Sequence, residues 1–439
     1  MKDRQEKEQA ESPELTALRK QKFNRFLLFW LGSIIAAIGS GMTSYAIGVY
    51  VFENTDSTAL KSIVSLLGFL PTVLLAPFFG SLADRYDRRK IMIMGDGLSL
   101  IGVALILFGI INNFHTYEMI LVGVTISAIF SAAIEPASMA TISDLVDEKD
   151  YTKASGLIGL ASASRFLIAP VVASFMMTRI GLQSVLIFDI LTIFTTIFVT
   201  LYVRRQLGQK ESKDKEDFKD TLIGGIASLK ENRGILHLVL FASLLTLMVG
   251  ILQELSVPML LSFTDKETTS LLFSCCAIGM LISSIALGSK ELKEGKLKIF
   301  TAAIVTAGLA MIGFGSKESL IWIGVSGFIF FMTLPIMNTI MDYYVRTNIP
   351  NERQGRVFGL ISTISQIGYI IAYASAGFLA DYIFRPLLVE GGALAGSLGK
   401  LIGIGSGRGI GLMIMVAGLL LAIVGLLLYR DKEIRKLRG

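Results

Sequence analysis

Five charged side chains stand inside stretches built otherwise from apolar residues: Asp96, Glu135, Arg165, Asp189 and Glu254. A charge in such surroundings is costly in hydrocarbon and faces a partner or a water-filled cavity. Desolvation favours the neutral form of a carboxylate, and a neighbouring arginine favours its charged form. A carboxylate in a cavity that opens and closes can therefore take up and release a proton. Glu135 is the first candidate, because Pro136 frees backbone carbonyls next to it and disfavours plain packing. At 1.5 Å per residue, Glu135 lies roughly 10 Å and Arg165 roughly 15 Å from the same end of their stretches, so the two are expected to meet. A permanent structural pair is the plainer alternative. Asp189, roughly 21 Å up on the same count, stays within reach of a long arginine. Asp96, only a few residues into its stretch, is read as an anchor at that end. Glu254 lies near the opposite end beside Gln253, where water reaches it.

The elements that must carry these charges are membrane spans. The chain is 53% hydrophobic and only 17% charged, with a mean hydropathy of +0.64, whereas ordinary soluble domains carry about 25% charge. A helix needs about 20 apolar residues to cross the hydrocarbon. Twelve stretches qualify: 26–52, 61–83, 91–113, 117–142, 155–178, 182–203, 234–262, 268–289, 298–316, 319–343, 356–382 and 409–429. Strands with open edges would leave backbone groups unsatisfied in lipid, so an all-α integral membrane protein is expected. The 41 Lys and Arg test the count. Threaded through twelve spans, only Lys61, Arg179, Lys266, Lys317, Arg385, Lys400 and Arg408 fall on the side opposite the termini, with Arg165 inside a span. By the positive-inside rule both termini are then cytoplasmic. The net charge of +6 reflects this orientation, and no nucleic-acid partner is expected.

The divisions follow from the same pattern. Residues 1–25 form a cytoplasmic tail without a cleavage pattern, and 26–203 a first six-helix half. Residues 204–233 form a linker, amphipathic over 218–229 and expected to lie on the inner membrane surface. Residues 234–430 form a second half, and 431–439 a short tail. Two loops echo each other across the halves, ending in Gly156-Leu-Ile158 and Gly359-Leu-Ile361. The glycine-rich stretch 384–408 is too apolar for a free linker and is read as an ordered outer cap. Cys275 and Cys276 are neighbours in one helix, cannot readily bridge, and are read as packing residues. No phosphate-cradling loop and no His/Cys cluster occurs, since His115 and His237 lie on opposite sides. No cofactor, no metal and no enzymatic activity are expected.

Between spans 2 and 3 the chain reads Gly80-Ser-Leu-Ala-Asp84-Arg85-Tyr-Asp87-Arg88-Arg89-Lys90, with uncharged residues over 62–83 and 97–114 on either side. This resembles the Gly-x-x-x-Asp-Arg-x-x-Arg-Arg loop of the major facilitator superfamily, over essentially 26–430. The resemblance implies two pseudo-symmetric six-helix halves with a site between them. It implies that Gly80 permits close packing, that Asp84 caps the start of span 11 near Gly355 and Arg356, and that Arg85 and Arg88 hold that carboxylate. Such a latch would close the cytoplasmic side. The run Gly403-x-Gly-x-Gly-Arg-Gly-Ile-Gly411 and Arg385-Pro-Leu-Leu388 resemble the drug:H+ antiporter-3 branch, which holds macrolide-efflux and siderophore-export proteins. In span 5 the Gly-Pro pattern of drug antiporters is replaced by Ala169-Pro170. Small residues there (Ser155, Gly156, Gly159, Ser162, Ala163) are expected to allow close helix contact. Phe29, Trp30, Met42, Tyr45, Met248, Phe331, Met337 and Tyr369 are candidates to line an adaptable apolar cavity. The expected function is secondary active, proton-coupled export of amphipathic drugs or related compounds by a monomer, with Glu135, Arg165, Asp189 and Glu254 as coupling or substrate residues. The partners would be a small organic substrate, protons and membrane lipids. A dedicated exporter or flippase of a siderophore, peptide or lipid is the alternative, and a non-transporting scaffold or receptor a distant one.

Overall fold

The computed structural model describes residues 13–147, 150–207, 232–289, 295–349 and 351–437. These residues are helical throughout, without a strand, and twelve of the helices are long and apolar enough to cross a membrane. They are α1 (Pro13–Thr55), α2 (Thr58–Arg85), α3 (Arg88–Asn112), α4 (Thr116–Ser131, resumed as Ile134–Leu145), α5 (Tyr151–Leu167, resumed as Ala169–Arg179), α6 (Leu182–Leu207), α7 (Arg233–Leu261), α8 (Lys266–Ser289), α9 (Lys296–Ser316), α10 (Leu320–Asn348), α11 (Asn351–Leu379) and α12 (Ser406–Arg430). The start of α1 and the end of α12 lie at one end of the bundle, here the near end; the other is the far end. The amphipathic stretch 218–229 falls outside the described residues.

Helix boundaries follow local chemistry. Ser57 caps α2 by accepting from the Leu60 N–H at 3.0 Å, Asp87 caps α3 through the Arg89 N–H, and Asn232 caps α7 through the Ile235 N–H; each satisfies an otherwise orphaned donor. Helices α4 and α5 break just ahead of Pro136 and Pro170, which remove helical N–H donors. Two large apolar cores form, one in the first half, which Val257 of α7 joins, and one in the second. Val49, Ile106 and Leu186 sit at the centre of the first, and Leu255, Ile304 and Leu421 at the centre of the second.

The 384–408 segment is ordered. Helix α11 continues through a π-turn (Ala380–Phe384) and a short helix (Arg385–Leu388). Leu388, Ile402 and Leu412 form a small core beneath it. Arg408, read from sequence as a loop charge, is instead 1% exposed. Its Nη2 donates to the carbonyls of Gly315 and Ser316 at 2.9 and 2.8 Å, satisfying the open end of α9. Of the small residues of α5, Ala163 is buried, but Gly156 and Gly159 do not serve close packing as expected, because a Cβ there would meet nothing within 4 Å among the described residues. Gly80 is likewise unpressed among the described residues, where the nearest neighbour to a Cβ would be Pro136 Cβ at 4.0 Å.

Candidate functional site

The two halves meet toward the far end. Helices α5 and α8 are joined by Ser274 Oγ donating to the Leu167 carbonyl at 2.6 Å, by the Ser174–Ser270 hydroxyl pair at 2.7 Å, and by Thr178 with Glu267. Helices α1 and α8 are joined by Lys266 and Glu53 at 3.1 Å and by Tyr45 Oη donating to the Lys266 carbonyl at 3.2 Å. Helices α2 and α11 come closest of all. A Cβ at Gly377 would lie 2.4 Å from Thr58 O and 2.7 Å from Ala59 Cα, so only glycine admits this approach.

That crossing ends in a clasp. Asp381, in the π-turn after α11, accepts from the Ala59 N–H at 2.8 Å and from Ser57 Oγ at 3.2 Å, both at the start of α2. A carboxylate here satisfies orphan donors and meets the positive end of the helix dipole. Arg385 holds the clasp together, donating to Asp381 Oδ1 at 3.1 Å, to the Asp56 carbonyl at 2.7 Å and to Asp56 Oδ2 at 2.6 Å. Sequence reasoning treated Arg385 as an outer loop charge. The pair Asp381/Arg385 at i, i+4 spacing, in line with a helix start, was the signal available.

One turn deeper lies a second link between the halves. Lys61 is in the first turn of α2, not in a loop, and is 6% exposed. Its Nζ donates to Glu254 Oε1 at 2.7 Å and to the Glu254 carbonyl at 2.9 Å. Ser62 and Ser65 donate to the same Oε1 at 3.1 and 3.2 Å. Glu254 on α7 is therefore not water-exposed as expected but 3% exposed. It is shielded by α2, whose partner side chains are 189 to 193 residues away in sequence.

Below this pair is a cavity of about 250 Å³ between the halves, walled by α1 (Tyr45, Gly48, Val49), α2 (Lys61, Ser65), α5 (Arg165, Phe166, Pro170), α7 (Gln253, Glu254, Val257) and α11 (Tyr373). Edge-on contacts of Phe69 with Tyr369 and Tyr373, at 6.0 and 5.4 Å, close α2 on α11 nearby. The stripe of α5 that lines the cavity at Phe166 and Pro170 runs on through Ser162, Gly159 and Gly156, where both glycines face open space.

The remaining candidates separate. Glu135 and Arg165 do not pair: both are exposed, and the bond Arg165 makes is Nη2 to Ser40 Oγ at 3.1 Å. The break in α4 places Glu135 at the start of a new segment, offset from the straight helix that the depth count assumed. Asp189 is buried within the first half and accepts from Thr43 Oγ1 at 2.7 Å. Asp96 is buried and does not anchor an exposed helix end. Of the expected cavity residues, only Tyr45 lines it. Phe29, Met42, Met248 and Met337 are core side chains. Trp30 donates to the Leu157 carbonyl at 2.6 Å, Phe331 packs on the second core, and Tyr369 works at the α2–α11 contact.

At the near end Asp87 pairs with Arg204 at 2.7 Å, and Arg88 donates to the Ala140 carbonyl and to Asp144 at 2.9 and 3.1 Å. Arg85 is exposed. Part burial works to raise the Asp87 pKa, but Arg204 and the Arg89 N–H outweigh it and hold the carboxyl below its ordinary range. The Asp84 side chain and the surroundings of Gly355 and Arg356 lie outside the described residues. Among the described residues no cluster could hold a metal ion. Cys275 and Cys276 are free thiols, the first exposed and the second buried.

Comparison with known proteins matches this architecture. The family model of the Major Facilitator Superfamily aligns with residues 29–373. Macrolide efflux protein A of Streptococcus pyogenes is 26% identical over 387 residues, covering 83% of this chain and 92% of that protein. Multidrug resistance protein MdtG of Yersinia enterocolitica is 24% identical over 381 residues, covering 82% and 87%. The crystal structure of the nucleoside transporter NupG shares the fold with a TM-score of 0.71 at 14% identity, covering 93% of this chain and 100% of that one. The chain belongs to the Major Facilitator Superfamily, as a multi-pass transporter of the cell membrane and not an enzyme.

Proposed function

We propose that this transporter exports amphipathic organic compounds in exchange for protons, acting as a monomer with its near end in the cytoplasm. The bias of Lys and Arg toward the near end supports that orientation. The relatives named for macrolide efflux and multidrug resistance support export. The far-end clasp and the open stripe of α5 fit a state closed outside and open inside.

The observation that carries proton exchange is the Lys61–Glu254 pair, because it joins the halves at the head of the cavity. With Glu254 ionised and the cavity empty, the pair holds the far end shut, and separating two buried opposite charges is expensive. An empty, deprotonated carrier therefore stays closed to the outside and does not leak. Substrate entering from the near side disturbs the pair, the far end opens, and Glu254 meets the outer solution. A proton taken up there neutralises it and keeps Lys61 and Glu254 from pairing, and once the far end has reclosed the proton leaves inward as the pair forms again.

The test is purified protein in liposomes under an imposed pH gradient, assayed with cationic, neutral and anionic amphipaths. Wild type should concentrate at least one compound. Glu254→Gln should still exchange it down its own gradient but lose uphill movement. Retained uphill movement would pass the coupling role to Asp189, whose bond to Thr43 links α6 to α1, and then to Glu135.

A further inference from the structure

The charge balance of the cavity points to the kind of compound it holds. Three charged side chains reach its wall: Lys61, Glu254 and Arg165. The first two neutralise each other, and Glu254 Oε1 is further occupied by Ser62 and Ser65. Arg165 is left over. Among the described residues it makes no ion pair, and its one bond is to Ser40. A guanidinium carries five N–H donors in a fixed fork, so most of them remain available toward the cavity.

Glu135 and Asp189 of the same half lie near enough to act on the charge of Arg165, but neither forms an ion pair with it. Asp189 Oδ2 is taken by Thr43, with its other oxygen 3.4 Å from Thr192. Asp96 is buried on α3, and Glu135 stands exposed on α4 without closing on Arg165. The position of Arg165 is nonetheless fixed. A Cβ at Gly41 would lie 2.9 Å from Arg165 Cγ, so α1 packs directly on the arginine stem. The wall of the same cavity carries the apolar residues Phe166, Pro170 and Val257. A held fork of donors beside an apolar wall suits a planar oxyanion joined to a hydrophobic body.

We propose that the transported compound is a small amphipath with an anionic head group, a carboxylate, sulfonate or phosphate, seated on Arg165 with its apolar body against Phe166, Pro170 and Val257. This rests on the reading of the cavity as the transport site, and it adds the sign of the charge. An anionic phospholipid presents the same chemistry, so the experiment separates the two sources.

The measurement is binding to purified protein in phosphatidylcholine nanodiscs, followed by fluorescence. Three probes share one anthracene body: a carboxylate, its neutral methylamide and an aminomethyl cation. Wild type should bind the carboxylate at least ten-fold more tightly than the other two. Arg165→Gln should abolish that preference while leaving weak binding of the neutral probe. Arg165→Lys, which keeps the charge but loses the fork, should retain part of it. Because the wild-type probe comparison is itself decisive, a misfolded variant does not remove the test. Equal binding of the three probes, preference for the cation, or an unchanged preference in folded Arg165→Gln would overturn the proposal. So would loss of the preference when phosphatidylglycerol replaces the neutral lipid, since that makes a lipid the occupant. The same probes in pH-gradient liposomes separate this inference from export. Carboxylate bound through Arg165 but not moved would sink the export reading alone, and cation moved with carboxylate ignored would sink this inference alone.

Discussion

The two ends of the bundle use the same side chains for opposite purposes. Among the described residues, the near-end pairs Asp87–Arg204, Arg88–Asp144, Arg19–Asp150 and Lys22–Asp147 each join elements of the first half, and His237–Asp431 elements of the second. At the far end Asp381–Ala59, Arg385–Asp56, Lys61–Glu254 and Lys266–Glu53 all run between halves. These near-end pairs tie helices within one half, and the far-end pairs tie one half to the other. Burial does not follow the same division throughout: the far-end side chains of Lys266 and Glu53 keep 22% and 34% exposure and Asp56 keeps 74%, while the near-end side chains of Arg89 and Asp144 keep 6% and 11%. Lys61 and Glu254 are almost without exposure, whereas the side chains of Arg204 and Asp87 keep 27% and 15%. The lesson is that the energy resisting movement between the halves is concentrated at the one dry pair that joins them, Lys61–Glu254.

That contrast can be broken most directly at Lys61. Lys61→Met leaves Glu254 buried without its partner and should cost about 3–5 kcal/mol, seen as a large fall in the melting temperature of the purified protein. Adding Glu254→Leu should restore much of the loss. Arg204→Met at the near end should cost no more than about 1 kcal/mol. Equal losses at the two ends would end the comparison.

Gly377 offers the next largest effect. Gly377→Val puts side-chain atoms into the backbone of Thr58 and Ala59, and should push the halves apart at the far end. Spin labels on the far ends of α2 and α11 should report a longer distance. Gly80→Ala at the near end, where no atom of the described residues would lie closer than 4.0 Å to the added Cβ, should change nothing.

A smaller shift is expected from the clasp itself. Asp381→Asn weakens the cap on α2, a change of about 0.5–2 kcal/mol by analogy with other caps, and should move the population toward the far-open state. For the near-end latch proposed at Asp84, with Arg85 and Arg88 behind it and Gly355–Arg356 opposite, Asp84→Asn should move it the other way and cut transport. The same label pairs read both, and shifts in the same direction would show that the two ends do not work as opposed latches.

The smallest effect is a pH dependence. Because Asp87 titrates below its unfolded value, its contribution is complete above the ordinary carboxylate range and is lost only as pH falls through the lowered folded value. Wild type and Asp87→Asn should therefore differ modestly in melting temperature at neutral pH and converge in acid. A gap that persists in strong acid would mean that Asp87 acts through something other than its charge.

The twelve spans, their division into two sixes and the lopsided placement of Lys and Arg were legible in the chain, because hydropathy and span length are local properties. The loop 80–90 also declared the family. The order of 384–408 could be anticipated from its apolar glycine-rich composition, although its core of Leu388, Ile402 and Leu412 could not. What the sequence left undecided was which charge faces which. Successive side chains of a helix point about 100° apart, so a small error in rotation or a break such as those in α4 and α5 redirects a carboxylate entirely. Glu135 and Arg165 match in depth and still do not meet. Lys61 sits one turn inside α2 and reads as a loop charge until α7 is brought against it, with Glu254 193 residues away. Local composition determined that this chain spans a membrane twelve times. Only packing between the halves decided that Lys61, Glu254, Asp381 and Arg385 hold its far end, and that Arg165 is left facing the cavity.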